Sequence, residues 1–115
     1  MEKRTLEIAL LLDFYGELLT EKQREYLELY YNEDFSLAEI AAIGGITPQG
    51  VRDVIRRGEA ILRDTEAKTG LLARFTQVSD AAERIKEKVK QIEARVEDES
   101  LAPLFREIYL DLESL

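Results

Sequence analysis

The stretch Ser36-Leu37-Ala38-Glu39-Ile40-Ala41-Ala42-Ile43-Gly44-Gly45-Ile46-Thr47-Pro48-Gln49-Gly50-Val51-Arg52-Asp53-Val54-Ile55-Arg56-Arg57 decides the architecture, because it spells out two helix starts and the corner between them. Ser36 stands three residues before Glu39, the spacing of a capping box, in which hydroxyl and carboxylate each satisfy an orphan backbone N–H. A short helix over Leu37–Ile43 comes next, with Leu37, Ile40, Ala41 and Ile43 as its apolar positions. Gly44-Gly45 gives the backbone access to positive φ. Thr47 is then a second cap, and Pro48 takes the first helical position, where its missing N–H costs nothing. Two helices crossing steeply through a Gly turn need a small residue at their closest approach, and Ala41 supplies it. The pattern is a helix-turn-helix.

Working outward, Val51, Val54, Ile55, Gly58, Ile61 and Leu62 form the inner face of the second helix, leaving Gln49, Arg52, Asp53, Arg56, Glu59 and Arg63 facing out. Lys68 and Gly70 mark its end. Upstream, Ile8, Leu11, Leu12, Tyr15 and Leu18 make one stripe of a helix from about Lys3 to Leu19, which Gly16 weakens. Thr20 and Gln23 form another capping box, opening a helix that runs to about Asn32 with Leu27, Tyr30 and Tyr31 as apolar positions. Downstream, Leu71-Leu72 to Gln77 reads as a connection whose Leu71, Leu72 and Phe75 pack on the core. Val78, Ala82, Ile85, Val89, Ile92 and Val96 then step by four and three residues, a heptad seam for one partner helix. That partner is either a second copy of the chain or its own first helix. A last helix is capped by Ser100, carries Pro103 in its first turn, and buries Leu101, Leu104, Phe105, Ile108 and Leu112. The fold class is all-α: a helical domain over 1–76 containing the helix-turn-helix at 36–69, and a helical extension over 77–115.

Composition narrows the chemistry. At 115 residues, 45% apolar and 35% charged, the chain suits one modest core. It has no Cys and no His, which removes disulfides, thiolate or imidazole metal sites and histidine-activated nucleophiles. With no phosphate-binding Gly loop either, the expectation is a protein that is not an enzyme and needs no cofactor or metal. The apolar run Ile8–Leu12 is too short for a signal-peptide core and is broken by Asp13, so membrane insertion is not expected and a cytoplasmic location is.

The formal net charge is −8, which opposes binding to a polyanion, yet the charge is unevenly spread. Over Thr47–Arg63, Arg52, Arg56, Arg57 and Arg63 outnumber Asp53 and Glu59. If this helix enters a major groove, Arg52 and Arg56 suit guanine O6 and N7, Gln49 suits adenine N6 and N7, and Asp53 suits a cytosine amine. Thr47 and Arg57 suit phosphates, which fix register without reading bases. The alternative for these side chains is an ordinary solvated face.

Ser36, Glu39, Ile40, Ala41, Gly45, Ile46, Thr47, Val51, Arg52, Ile55, Arg57, Gly58 and Leu62 resemble, without gaps, the pattern of region 4 of bacterial sigma factors. A resemblance covering nearly the whole chain is to the YlxM family. It is carried by Asp13-Phe14-Tyr15, Leu18-Leu19-Thr20, Gln23, Leu29-Tyr30-Tyr31, Ser36-Leu37, Glu39-Ile40-Ala41, Gln49, Val51, Asp53, Ile55, Arg57 and Glu59-Ala60, and is strong to about Phe75. The resemblance implies a small all-helical protein with a suggested role in the signal recognition particle pathway, or a DNA-binding regulatory role. DNA and components of that particle, its GTPases or RNA, are therefore the expected partners. A homodimer through Val78, Ile85, Val89, Ile92 and Val96 is the third expectation.

Overall fold

The computed structural model describes residues 3–115, and among them helices alternate with short turns and no strand occurs. Helix α1, Lys3–Tyr15, buries Ile8, Leu11, Leu12 and Tyr15, spaced as one face of a helix requires. It stops earlier than the apolar pattern suggests. Gly16 opens a single 3₁₀ turn, Gly16–Leu18, closed by the Leu19 N–H on the Gly16 carbonyl at 3.1 Å. That tighter turn brings Leu19 into the core in place of Leu18, which is exposed.

Helix α2, Glu21–Leu27, starts on the capping box: the Thr20 N–H donates to Gln23 Oε1 at 3.0 Å, and the Gln23 N–H to Thr20 Oγ1 at 3.2 Å. It does not continue as an α-helix to Asn32. Residues Glu28–Asn32 form a π turn, in which the Glu33 N–H reaches the Glu28 carbonyl five residues back at 3.1 Å. The wider turn advances the chain by fewer degrees per residue than an α-helix does. Tyr31 therefore comes round to the core with Tyr26 and Leu27, while Tyr30, expected to be inward, lies 37% exposed.

Helix α3, Leu37–Gly44, and helix α4, Pro48–Thr69, are the helix-turn-helix. The Ser36–Glu39 capping box is present, with bonds of 2.9 and 3.1 Å. The two glycines of the corner do different work. Gly45 has φ +66° and caps α3, its N–H on the Ala41 carbonyl. Gly44 is the last helical residue, and a Cβ there would collide with the phenol of Tyr26. Thr47 Oγ1 accepts the Gly50 N–H at 3.0 Å, Pro48 occupies the first turn, and Gly70, φ +62°, ends α4.

Ile8, Leu27, Ile40, Val51 and Leu62 are the largest side chains wholly removed from solvent, so α1, α2, α3 and α4 all meet in one core. Gly58 permits the approach of α2 to α4, since a Cβ there would lie 2.6 Å from Leu27 Cδ1. Glu66 ties α1 to the end of α4: Tyr15 donates to its Oε1 at 2.5 Å, and the Leu72 N–H does so at 2.9 Å. Ile43 and Ile61, both expected inside, are exposed, because the buried faces are centred on Ile40 and Ala41 in α3 and on Val51, Ile55 and Leu62 in α4, about a quarter turn or more round each helix from them.

Contacts divide the chain into two units, one ending at Leu72 and a second, Ala73–Leu115. No connecting loop separates α4 from the next helix. Helix α5, Leu71–Glu93, begins at the residue after Gly70, and Leu71 and Phe75, expected to pack on the core, are exposed. Along the expected heptad seam Ala82 is buried, Val78 and Val89 are half-buried, and Ile85 and Ile92 are exposed; Val96 lies past the helix end. A 3₁₀ turn, Glu99–Leu101, leads to α6, Ala102–Glu113, with Pro103 in its first turn. Ser100 does not cap α6, which has no side-chain cap; it lies in the 3₁₀ turn, which Asp98 caps, its carboxylate accepting the Ser100 N–H at 2.9 Å. Leu101, Phe105 and Leu112 are half-buried while Leu104 and Ile108 are exposed, and Tyr109 donates to Glu93 at 2.8 Å.

Candidate nucleic-acid interface

Caps and corner together place the start of α4 at the surface. Thr47, Gln49, Arg52, Asp53, Arg56 and Arg57 are all exposed. At about 3.6 residues per turn, Arg52 and Arg56 share one flank of α4, Gln49 and Asp53 sit at its crest, and Arg57 lies on the opposite flank. The Thr47 hydroxyl accepts from Gly50, which leaves its O–H free to donate outward. Gln49 Nε2 donates to Asp53 Oδ1 at 3.2 Å, so those two present themselves as a pair.

The acids of α4 are disposed differently from its bases. Glu59, expected to face out, is 9% exposed and accepts a hydrogen bond from Tyr31. Glu66 is turned to Tyr15 and Leu72, and Asp64 is ion-paired with Lys68 at 2.9 Å. Asp53 is thus the acid among Arg52, Arg56, Arg57 and Arg63 on the outer surface, and the surface is basic although the chain is acidic. At the start of α3, the backbone and side chain of Ser36 hold the Glu39 carboxyl below its usual range.

A hollow beside this surface was not expected from the sequence. A cavity of about 320 Å³ opens between the π turn and α4, and Tyr30 and Glu59 line it together with Arg52 and Arg56. Residue spacing carries no signal for it, because it depends on the π turn. Among the described residues no cluster of acids is arranged to hold a metal ion, and no helix is long and apolar enough to cross a membrane.

Comparison with known proteins agrees with this architecture. The family model described as "Putative helix-turn-helix protein, YlxM / p13 like" matches residues 1–101. A protein of the same family, UPF0122, from Thermoanaerobacter sp. (strain X514) is 39% identical over 115 residues, all of this chain and 98% of the relative. Another from Halalkalibacterium halodurans is 48% identical over 89 residues, covering 77% of this chain and 82% of its own. A third from Acetivibrio thermocellus is 49% identical over 90 residues, covering 78% and 77%.

Proposed function

This chain belongs to the UPF0122 family of YlxM/p13-like helix-turn-helix proteins, and on that premise we propose that it is a DNA-binding regulatory protein that lays α4 in a major groove. The observation that supports this reading most is the basic outer surface of α4, kept basic by the inward turn of Glu59 and Glu66. Arg52 and Arg56 contact guanine, the Gln49–Asp53 pair reads an adjacent base pair, and Thr47 and Arg57 hold phosphates. With a net charge of −8, binding is steeply salt-dependent, and a second copy joined through Val78, Ile85, Val89 and Ile92 would double the phosphate contacts. Selection from a random duplex pool at low salt, with the full chain, tests the proposal. Enrichment of a common sequence supports it, and recovery of the unselected pool sinks it.

A second reading has an observation of its own. Leu6, Leu10 and Phe14 recur every four residues along α1 and remain exposed, with Leu18 exposed beyond them. Such a stripe suits a protein partner better than a polyanion. It supports the accessory role in the signal recognition particle pathway, through contact with the particle's GTPases. Capture from extract with nuclease on one arm separates the two: partners that survive nuclease favour the protein contact.

A further inference from the structure

We infer that Arg63, which lies outside the six contacts read from the sequence, is a phosphate-binding residue that holds the DNA backbone where α4 leaves the groove. The inference rests on the DNA reading and names a further contact for it. Helix α4 has 22 residues, a rod about 33 Å long, whereas a major groove is about 12 Å wide and winds round its duplex. Only the first turns of such a helix reach base edges. Whatever stands on the turns beyond them faces the flanking sugar–phosphate wall or solvent.

Arg63 is placed to meet the wall. It stands about 16 Å further along the axis than Arg52 and only about 20° round it, so the two share a flank of α4, with Arg56 between them. All three are exposed. Two acids on the same flank would oppose a polyanion, yet both are engaged with the protein itself. Glu59 is buried and accepts from Tyr31, while Glu66 accepts from Tyr15 and from the Leu72 N–H. Asp64, further round the helix, is ion-paired with Lys68 at 2.9 Å. The flank is therefore a row of arginines. With Arg52 and Arg56 at base edges, Arg63 lies about 10 Å beyond Arg56 and past the rim of the groove. A guanidinium there offers a planar fork of N–H donors and no acceptor, which suits phosphate oxygens in charge and in geometry.

The full chain is titrated into a fluorescein-labelled mixed-sequence duplex and into the duplex enriched by selection, over a series of potassium chloride concentrations, with anisotropy as the readout. Arg63→Gln should lower the slope of log Kd against log salt by about 0.9, the share of one released counterion, and should weaken both duplexes alike, about eightfold at 0.1 M salt. Arg63→Lys keeps the charge and should restore the slope, whereas Lys22→Gln, which removes an equal charge from α2, should leave it unchanged. Circular dichroism confirms that each variant is folded. Among selected duplexes that each carry one neutral methylphosphonate, one modified just outside the enriched sequence should bind the parent and Arg63→Gln equally. An unchanged slope for Arg63→Gln overturns the inference and leaves the groove reading standing. Loss confined to the selected duplex makes Arg63 a base contact and overturns the phosphate assignment, as does a loss that no methylphosphonate abolishes. A parent chain that binds neither duplex removes the groove reading, and this contact with it.

Discussion

The hydroxyl of Tyr31 donates to the carboxylate of Glu59, joining the π turn to the inner side of α4 in a place where both side chains are almost wholly buried. A buried carboxylate is costly unless hydrogen-bonded, so the bond connects the irregular segment after α2 to the helix that carries the candidate contact surface. Tyr31→Phe should destabilise the chain by about 1–3 kcal/mol in urea denaturation. A change below about 0.5 kcal/mol would show that Tyr31 contributes only its ring.

Gly58 and Leu27 give a test of packing. Gly58→Ala raises helix propensity by up to about 1 kcal/mol but drives a methyl to 2.6 Å from Leu27 Cδ1. Overpacking of a close-packed core costs about 1–3 kcal/mol, so the variant should be less stable than the parent. In a Leu27→Ala background the same substitution should be neutral or stabilising. Identical effects in both backgrounds would remove steric conflict as the reason for glycine.

At Gly45 the reason is different. A Cβ there meets nothing within 4 Å, but φ is +66°. Gly45→Ala should cost roughly 1–2 kcal/mol through backbone conformation alone, and Gly45→Asn less. Thermal melts of the two variants provide the comparison.

Glu39 makes acid stability legible at one helix start. Its carboxyl titrates below the ordinary value of 4.5 because it accepts the Ser36 N–H, with help from the Ser36 hydroxyl. A folded value lower than the unfolded one means the contribution is present above about pH 4.5 and disappears as pH falls through the folded value. Glu39→Gln should therefore reduce the loss of stability on acidification, and Glu39 should titrate late by NMR.

On DNA, Arg52→Ala should relax discrimination at one base pair by about 1–3 kcal/mol. Arg57→Ala should instead weaken all sequences alike and reduce the salt slope by about 1. Retention that neither substitution alters would move attention to the α1 stripe.

The starts of α2, α3 and α4 were open to sequence reading because each is written in neighbouring residues, Thr20 with Gln23, Ser36 with Glu39 and Thr47 with Pro48, whereas the starts of α5 and α6 carry no such pair. Stops at Gly45 and Gly70 were equally local. The features that escaped were set by packing between elements. Nothing in Glu28-Leu29-Tyr30-Tyr31-Asn32 announces a π turn, and the hydrogen bond from Tyr31 that accompanies it is made to a helix remote in sequence. Glu59 reads as a surface residue because charge normally seeks water, and the hydrogen bond that Tyr31 gives it from another element is invisible to residue spacing. The six candidate contacts are legible as a pattern on one helix; the groove beside them requires two helices and an irregular turn.

That irregular turn makes the groove a property of chain length as well as of composition. Deleting one residue within Glu28–Asn32 would let the segment close as an ordinary α-helix, exchanging the places of the two neighbouring tyrosines and withdrawing the Tyr31 hydroxyl from Glu59. A single-codon loss would thus erase the hollow while every cap of the helix-turn-helix stayed intact.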